Sequence, residues 1–196
     1  MFEIRIHGRG GQGVVTAAEL LSVAAFDEGR HAQAFPSFGS ERMGAPVVSF
    51  CRLDDHPIRT REPVMEADAV IVQDATLIHQ VDLFAGLVPG GYVLVNTSHT
   101  FDDLGLGEFF ERFDRQRLLA CPATELALGQ LGRPLPNVVL LGAFAALTGQ
   151  ITLDALDVTV RERFGGTVGD RNAAAAAAGY RFVTRAEEEL ARAATD

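Results

Sequence analysis

The chain has 196 residues, of which 47% are hydrophobic and 22% charged, the make-up of one folded domain rather than a disordered tail. A net charge of −9, from 26 acids against 17 bases, argues against nucleic acid or an anionic membrane as partner, because both select a basic face. All 17 bases are arginine, which excludes a Walker A lysine, Schiff-base chemistry and a lysine general base.

The two cysteines, Cys51 and Cys121, are far apart and form no CxxC pair, iron–sulfur run or zinc knuckle. A reducing, cytoplasmic setting is expected. Met1-Phe2-Glu3-Ile4-Arg5 has no signal-peptide pattern, and the alanine-rich run Ala173 to Gly179 is too short to span a bilayer.

Phe2 to His7 alternates apolar and polar residues and predicts a strand. The cluster Gly8-Arg9-Gly10-Gly11-Gln12-Gly13 follows. Val14 to Glu28 then reads as a helix closed by Gly29. Only Thr16, Glu19 and Ser22 interrupt the apolar surface of that helix before Phe26. Such a helix is covered on more than one side, by a sheet and another helix or in part by a partner subunit.

His31 to Phe35 predicts a second short strand ended by Pro36, and Ser37 to Pro46 a loop. Val47 to Leu53 is a strand, Asp54-Asp55 a turn, and Pro57 to Thr60 an edge-like return. Ala67 to Gln73 is an apolar strand leading to Asp74. Leu77 to Leu87 reads as a helix, with Pro89-Gly90-Gly91 beyond its end, and Tyr92 to Asn96 as a buried strand. Asp102 to Phe113 reads as helical, and Arg117 to Cys121 as a short strand. Helices are then expected at Thr124 to Leu131, Val138 to Leu147, Leu153 to Phe164 and Asn172 to Arg192. The expectation is a single α/β domain over residues 1–196: a mostly parallel sheet with helices on both faces, a Rossmann-like start and a helical C-terminal third.

Gly8-x-Gly10-x-x-Gly13 lies between the first strand and the first helix. Glycines let the backbone turn tightly there, and the free N–H groups of the helix start meet an anion with the helix dipole behind them. Thr16 adds a hydroxyl in the first turn. A glycine turn that serves packing alone is the competing explanation. A dinucleotide fold calls for an acid about 20 residues on, at the tip of the second strand. That tip is Gln33-Ala34-Phe35-Pro36-Ser37, with no acid, which disfavours NAD. Ser37, Ser40 and Arg42 suit phosphates better, although a plain polar loop and an Arg42–Glu41 ion pair are the simpler readings.

Elsewhere the simple reading wins. His7 ends a strand beside the loop and could contact a phosphate, although a solvent-bonded strand-end histidine is the simpler reading, and His31, His56, His79 and His99 lack metal spacing. Arg59 and Arg61 lie two apart on one side of a strand and could hold a 3′-phosphate or a partner's acid, although a solvated edge is the simpler reading. Asp74 and Asn96-Thr97-Ser98 lie at strand ends, where open α/β sheets bind ligands, and rank below the glycine loop. Cys51 and Cys121 read as buried small hydrophobes and Glu187-Glu188-Glu189 as a solvated helix face.

Gly8 to Gly13 ahead of an apolar helix resembles the γ subunit of 2-oxoacid:ferredoxin oxidoreductases, of the pyruvate/ketoisovalerate oxidoreductase type. So does the block Ala34-Phe35-Pro36-Ser37-Phe38-Gly39-Ser40-Glu41-Arg42-Met43-Gly44-Ala45-Pro46-Val47. The similarity in layout continues through the Asp54-Asp55 hairpin, the strand ending at Asp74 and Pro136-Asn137 opening a helix. Met43 departs from it, standing where arginine is expected in many relatives.

The resemblance implies oxidative decarboxylation of a 2-oxoacid to its acyl-CoA by a multi-subunit enzyme. Thiamine diphosphate with Mg and [4Fe-4S] clusters would sit on alpha, beta and delta-type partner chains. Ferredoxin, or a flavin/NAD-linked subunit, would accept the electrons, and choice of 2-oxoacid would rest largely on other chains. This chain, which has no thiamine-type Gly-Asp-Gly followed by a paired Asn and no cysteine cluster, would bind coenzyme A and be inactive alone. The implied site is Gly8, Gly10, Gly11, Gln12, Gly13 and Thr16, with backbone N–H groups of Gly10 to Gly13 on the diphosphate and Gln12 adding a side-chain donor. Ser37, Ser40 and Arg42 would line the other wall, and no residue is assigned a catalytic role. A structural subunit without a working coenzyme A site and a stand-alone nucleotide-binding dehydrogenase are the rival readings.

Overall fold

The computed structural model describes residues 1–37 and 43–193. Its centre is a six-stranded sheet in the order β2-β3-β1-β4-β5-β6. The strands are β1 (Phe2–Arg9), β2 (His31–Pro36), β3 (Pro46–Asp54), β4 (Ala67–Val72), β5 (Leu87–Asn96) and β6 (Leu118–Cys121). β1 pairs parallel with β4, β4 with β5, and β5 with β6. β3 lies antiparallel to both β1 and β2. Two reversals restore the direction, so β2 also runs with β1 and β3 alone is reversed. The sheet is therefore mostly parallel, and β1, β2, β4, β5 and β6 end on one edge.

Strand alternation divides the core in two. Ile4, Ile6, Ala69, Ile71, Leu94, Cys51 and Cys121 face one side, where α1 (Val14–Asp27), α3 (Ala123–Leu131), α4 (Asn137–Thr148), α5 (Leu153–Phe164) and α6 (Gly166–Ala193) pack. Val70, Val72, Val93, Val95 and Phe50 face the other side. There the cover is short helical pieces: 3-10 turns at Ala75–Leu77 and Arg115–Arg117, the single-turn α2 (Gly107–Phe110), and a cluster of Phe84, Phe101, Phe109, Phe110 and Phe113. Helical turns thus lie on both faces, very unequally.

The apolar α1 is buried through Val14, Ala17, Ala18, Leu20, Leu21, Ala24 and Ala25, between the sheet and α4 and α5. Val23 and Phe26 remain exposed. Against the expected helix at Leu77 to Leu87, the chain forms only the 3-10 turn and further turns before β5. Gly86 takes a left-handed φ of +68° and Leu87, already in β5, pairs with Ala67, which cuts the segment short, and the Arg5 guanidinium donates to the carbonyls of Leu83 and Ala85. Pro89-Gly90-Gly91 falls inside β5, not beyond a helix. The expected helix at Asp102 to Phe113 shrinks to α2, because Gly105 takes a left-handed φ of +71° and ends the first turns. Pro57 to Thr60 is irregular rather than a return strand, so Arg59 and Arg61 share no strand face.

α6 begins at Gly166, six residues before the expected start. Gly169 is no breaker; a Cβ there would lie 3.1 Å from the backbone of Arg161 in α5. α4 and α6 cross still more closely. A Cβ on Gly142 would sit 1.8 Å from the carbonyl oxygen of Ala176, and one on Gly179 would sit 2.0 Å from that of Val139. The alanine run of α6 is the smooth surface that permits this contact.

Candidate functional site

The glycine loop leaves β1 at the edge where the parallel strands end. Gly10 is tied to the segment before β3: its N–H donates to Ala45 O at 2.9 Å, and its carbonyl accepts from Gly44 N–H at 3.0 Å. Gln12 N–H donates to Arg9 O at 3.0 Å. The Gln12 side chain folds back, its Oε1 accepting the Arg9 N–H (2.8 Å) and its Nε2 donating to Asp74 Oδ2 (2.9 Å). Arg9 completes the clamp through Nε to Asp74 Oδ2 (3.2 Å), Nη1 to Gly44 O (3.1 Å) and Nη2 to Thr76 Oγ1 (2.7 Å). Burial works against a charged Asp74. Hydrogen bonds from Thr76 and Gln12 and the Arg9 charge outweigh it and hold the carboxyl below its ordinary value.

Gly11 and Gly13 carry φ of +94° and +72°, and Gly13 is the left-handed residue directly before α1. Among the described residues their N–H groups have no acceptor. The first helical bond is Ala17 N–H to Gly13 O at 2.9 Å, so the amides of Val14, Val15 and Thr16 have no helical acceptor before them. Gly8 answers to packing: a Cβ there would lie 2.7 Å from Val14 Cγ2 and 3.2 Å from Gln73 Cβ.

Two hollows meet at this loop and share Gly11, Gly13 and Thr16. One, of about 310 Å³, extends to Arg9, Gly10 and Val47. The other, of about 440 Å³, opens toward the helices and is walled by Leu131, Arg133, Leu135, Asn137, Phe164, Val168, Arg171 and Asn172. Asn137, the first residue of α4, is only 8% exposed, and its Nδ2 lies 2.5 Å from where a Cβ on Gly13 would stand. Among the described residues its side-chain amide has no partner. Asn172 donates to Val168 O at 2.9 Å. Arg133 and Arg171 are exposed at the rim and have no carboxylate partner among the described residues. A hollow of about 490 Å³ along α3 and α6 shares no lining residue with the loop.

The structure thus brings Gly11, Gly13 and Thr16 together on an open hollow, places Gly8 beneath them, and uses Gly10 and Gln12 to hold the loop. The amide that sequence reasoning assigned to a ligand from Gln12 is engaged by Asp74, and the Gly10 N–H by Ala45. Ser37 sits at the end of β2, exposed, its N–H on Val48 O at 2.9 Å, with β3 between it and β1. Ser40 and Arg42 lie outside the described residues. Met43 is 87% exposed, and its sulfur stands 2.6 Å from where a Cβ on Gly11 would be. Sequence reasoning missed Arg133, Arg171 and Asn172, and saw Asn137 only as the opening of a helix.

The buried titratable groups nearby are electrically quiet. His7 faces away from the long helices; burial first and the Arg5 charge second lower its pKa to about 4, so it is neutral at pH 7. Burial pushes the Cys51 and Cys121 thiols up to about 12, which leaves them protonated and poor nucleophiles. No group of three or more His, Cys, Asp and Glu among the described residues is placed to hold a metal, and no helix among them is long and apolar enough to cross a membrane.

Known proteins with the same layout fit this description. The model of the pyruvate ferredoxin/flavodoxin oxidoreductase family matches residues 3–182. The pyruvate synthase subunit PorC of Methanothermobacter marburgensis is 48% identical over 180 residues, covering 92% of this chain and 96% of its own. The pyruvate/ketoisovalerate oxidoreductases common subunit gamma of Thermococcus kodakarensis is 47% identical over 178 residues, covering 90% of this chain and 94% of its own. The crystal structure of the pyruvate oxidoreductase subunit PORC of Thermotoga maritima superposes with a TM-score of 0.77 at 34% identity, covering 92% of this chain and 95% of that one. The loop, the sheet and the likeness over nearly the full length agree: this chain belongs to the pyruvate ferredoxin/flavodoxin oxidoreductase family, as a gamma subunit of a ferredoxin-linked 2-oxoacid oxidoreductase complex.

Proposed function

We propose that this chain is the coenzyme A-binding part of its complex, which oxidatively decarboxylates a 2-oxoacid to the acyl-CoA. Alpha, beta and delta-type partner chains carry thiamine diphosphate with Mg and [4Fe-4S] clusters. Electrons leave to ferredoxin or to a flavin/NAD-linked subunit. Thiamine diphosphate, on those partners, supplies the carbanion chemistry that releases CO₂. This chain binds the thiol carrier, orients it and keeps its anionic end in place while the thiol reaches the acyl group.

One observation carries the reading. The amides of Gly11 and Gly13 are uncommitted among the described residues and open, with the N-terminus of α1, on a hollow lined by no acid. A diphosphate fits those donors, and the helix dipole favours its charge. Thr16 adds a hydroxyl at the same place. Gln12 serves it indirectly, by pinning the loop to Asp74.

The test uses the assembled complex. Gly11→Leu puts a side chain where φ is +94° and where Met43 already stands, and Thr16→Val removes the hydroxyl without changing shape. Each is expected to raise the KM for coenzyme A by about fivefold or more, the loss of one hydrogen bond, while CO₂ release and acceptor reduction without coenzyme A stay normal. Coenzyme A kinetics unchanged in both variants would leave the chain a purely structural subunit.

A further inference from the structure

The helix-side hollow holds more than a diphosphate needs. Its lining contains no aspartate or glutamate, in a chain of net charge −9, and both of its charged groups are guanidinium ions. The other described hollows that carry charge away from the loop mix signs, with Glu189 beside Arg181 and Arg185 in one, and Glu19 and Glu162 beside Arg163 in another. Arg133 stands in the connection after α3, just past Gly132, and Arg171 on the second turn of α6. They reach the hollow from separate elements, and neither comes from the loop. Asn137 stands against the loop in the same hollow, its Nδ2 2.5 Å from where a Cβ on Gly13 would be; it is more than nine-tenths buried and its side chain has no partner among the described residues. Leu131, Leu135, Phe164 and Val168 supply an apolar wall.

These features call for a ligand with two separate anionic groups, a polar group between them and a flat apolar ring. A volume of about 440 Å³ suits such a nucleotide end. We propose that Arg133 and Arg171 form a second anion subsite that takes the 3′-phosphate of coenzyme A, so that this chain selects the 3′-phosphorylated carrier over its dephospho form. The inference rests on the coenzyme A reading above and deepens it. A phosphate monoester is close to a dianion at neutral pH, and two planar guanidinium forks match its charge and oxygens. Asn137 donates to, or accepts from, the ribose between the two phosphate positions, and the apolar wall covers the adenine.

The experiment compares coenzyme A with 3′-dephospho-coenzyme A on the assembled complex, as wild type, as Arg133→Gln/Arg171→Gln and as Thr16→Val. Both arginines are exposed, so their replacement spares the core. Wild type is expected to show a KM for the dephospho form about tenfold or more above that for coenzyme A, the scale of a charge-assisted hydrogen bond. In the double variant the two KM values converge, because only that for coenzyme A rises, and kcat is unchanged. Equilibrium binding of adenosine 3′,5′-bisphosphate to the complex weakens by the same factor. Thr16→Val raises both KM values together and keeps their ratio.

No preference in the wild type, an unaltered preference in the double variant, or an equal rise for both carriers in that variant would each overturn the subsite. In those cases a Thr16→Val or Gly11→Leu effect on both carriers still upholds the parent reading. If those loop variants also leave both carriers unaffected, the coenzyme A role itself falls.

Discussion

At the scale of single residues, Asp74 is the post to which the loop is fastened. Arg9, Gln12 and Thr76 all converge on its carboxylate. Asp74→Ala frees Arg9 and Gln12 together and is expected to raise the KM for coenzyme A several-fold with little change in the sheet, measurable by kinetics beside circular dichroism. The sign of its pH effect follows from its lowered pKa. The stabilisation is complete above the ordinary carboxylate value near 4 and is lost as pH falls through the lower folded value. His7 acts in a higher window. Its folded pKa is about 4 against an ordinary 6.5, so between those values the unfolded chain binds more protons. Stability should therefore fall as pH drops from about 6.5 to about 4, by on the order of 3 kcal/mol at most. His7→Leu should flatten that slope in denaturant titrations across the range. A slope unaltered by the change would assign it to other groups.

At the scale of elements, the tightest joint is the α4–α6 crossing. Gly142 and Gly179 each face a backbone carbonyl at a distance no Cβ tolerates. Gly142→Leu and Gly179→Val should cost more than the 1–3 kcal/mol of ordinary overpacking, seen as a sharp fall in Tm or in soluble yield. Gly29→Ala, with nothing within 4 Å of the added methyl, should cost only the strain of its φ of +83°. Some elements were plain in the chain and others were not, for physical reasons. β1, the glycine loop and α1 could be read because alternation, glycines and helical spacing stand side by side, and Leu153 to Phe164 because Thr152 caps it and Gly165 closes it. The helix expected at Leu77 to Leu87 failed because Gly86 turns left-handed and Leu87 is drawn into β5 by its pairing with Ala67, about twenty residues earlier in the chain. Nothing local announces that pairing. The early start of α6 was hidden because Gly166 and Gly169 are poor helix formers, whereas Gly169 makes room for α5.

At the scale of the whole molecule, the candidate site was half legible. Gly11, Gly13 and Thr16 are neighbours in sequence and could be found there. Arg133, Asn137, Arg171 and Asn172 join them only after α4 packs on α1 and α3 and α6 pack on α4, and each alone looks like an ordinary surface arginine or helix-end asparagine. The charge layout gives a further expectation. An acid-free hollow on a chain of −9 attracts a polyanion locally against the overall charge. Screening shortens from about 10 Å at 0.1 M salt to about 3 Å at 1 M. The KM for coenzyme A should accordingly climb with salt, more steeply than that for its dephospho form, in steady-state assays at fixed 2-oxoacid.

The lone reversed strand has a practical corollary. Because β3 runs against its neighbours, its beginning braces the glycine loop through Ala45, while its finish at Asp54 is on the opposite rim of the sheet. Length changes between 37 and 45 would drag on the brace. The bend at Asp55 and His56 is exposed, and neither residue lines the hollow beside the glycine loop. A fluorophore or affinity handle grafted there should report on the assembled oxidoreductase and leave the KM for coenzyme A unchanged.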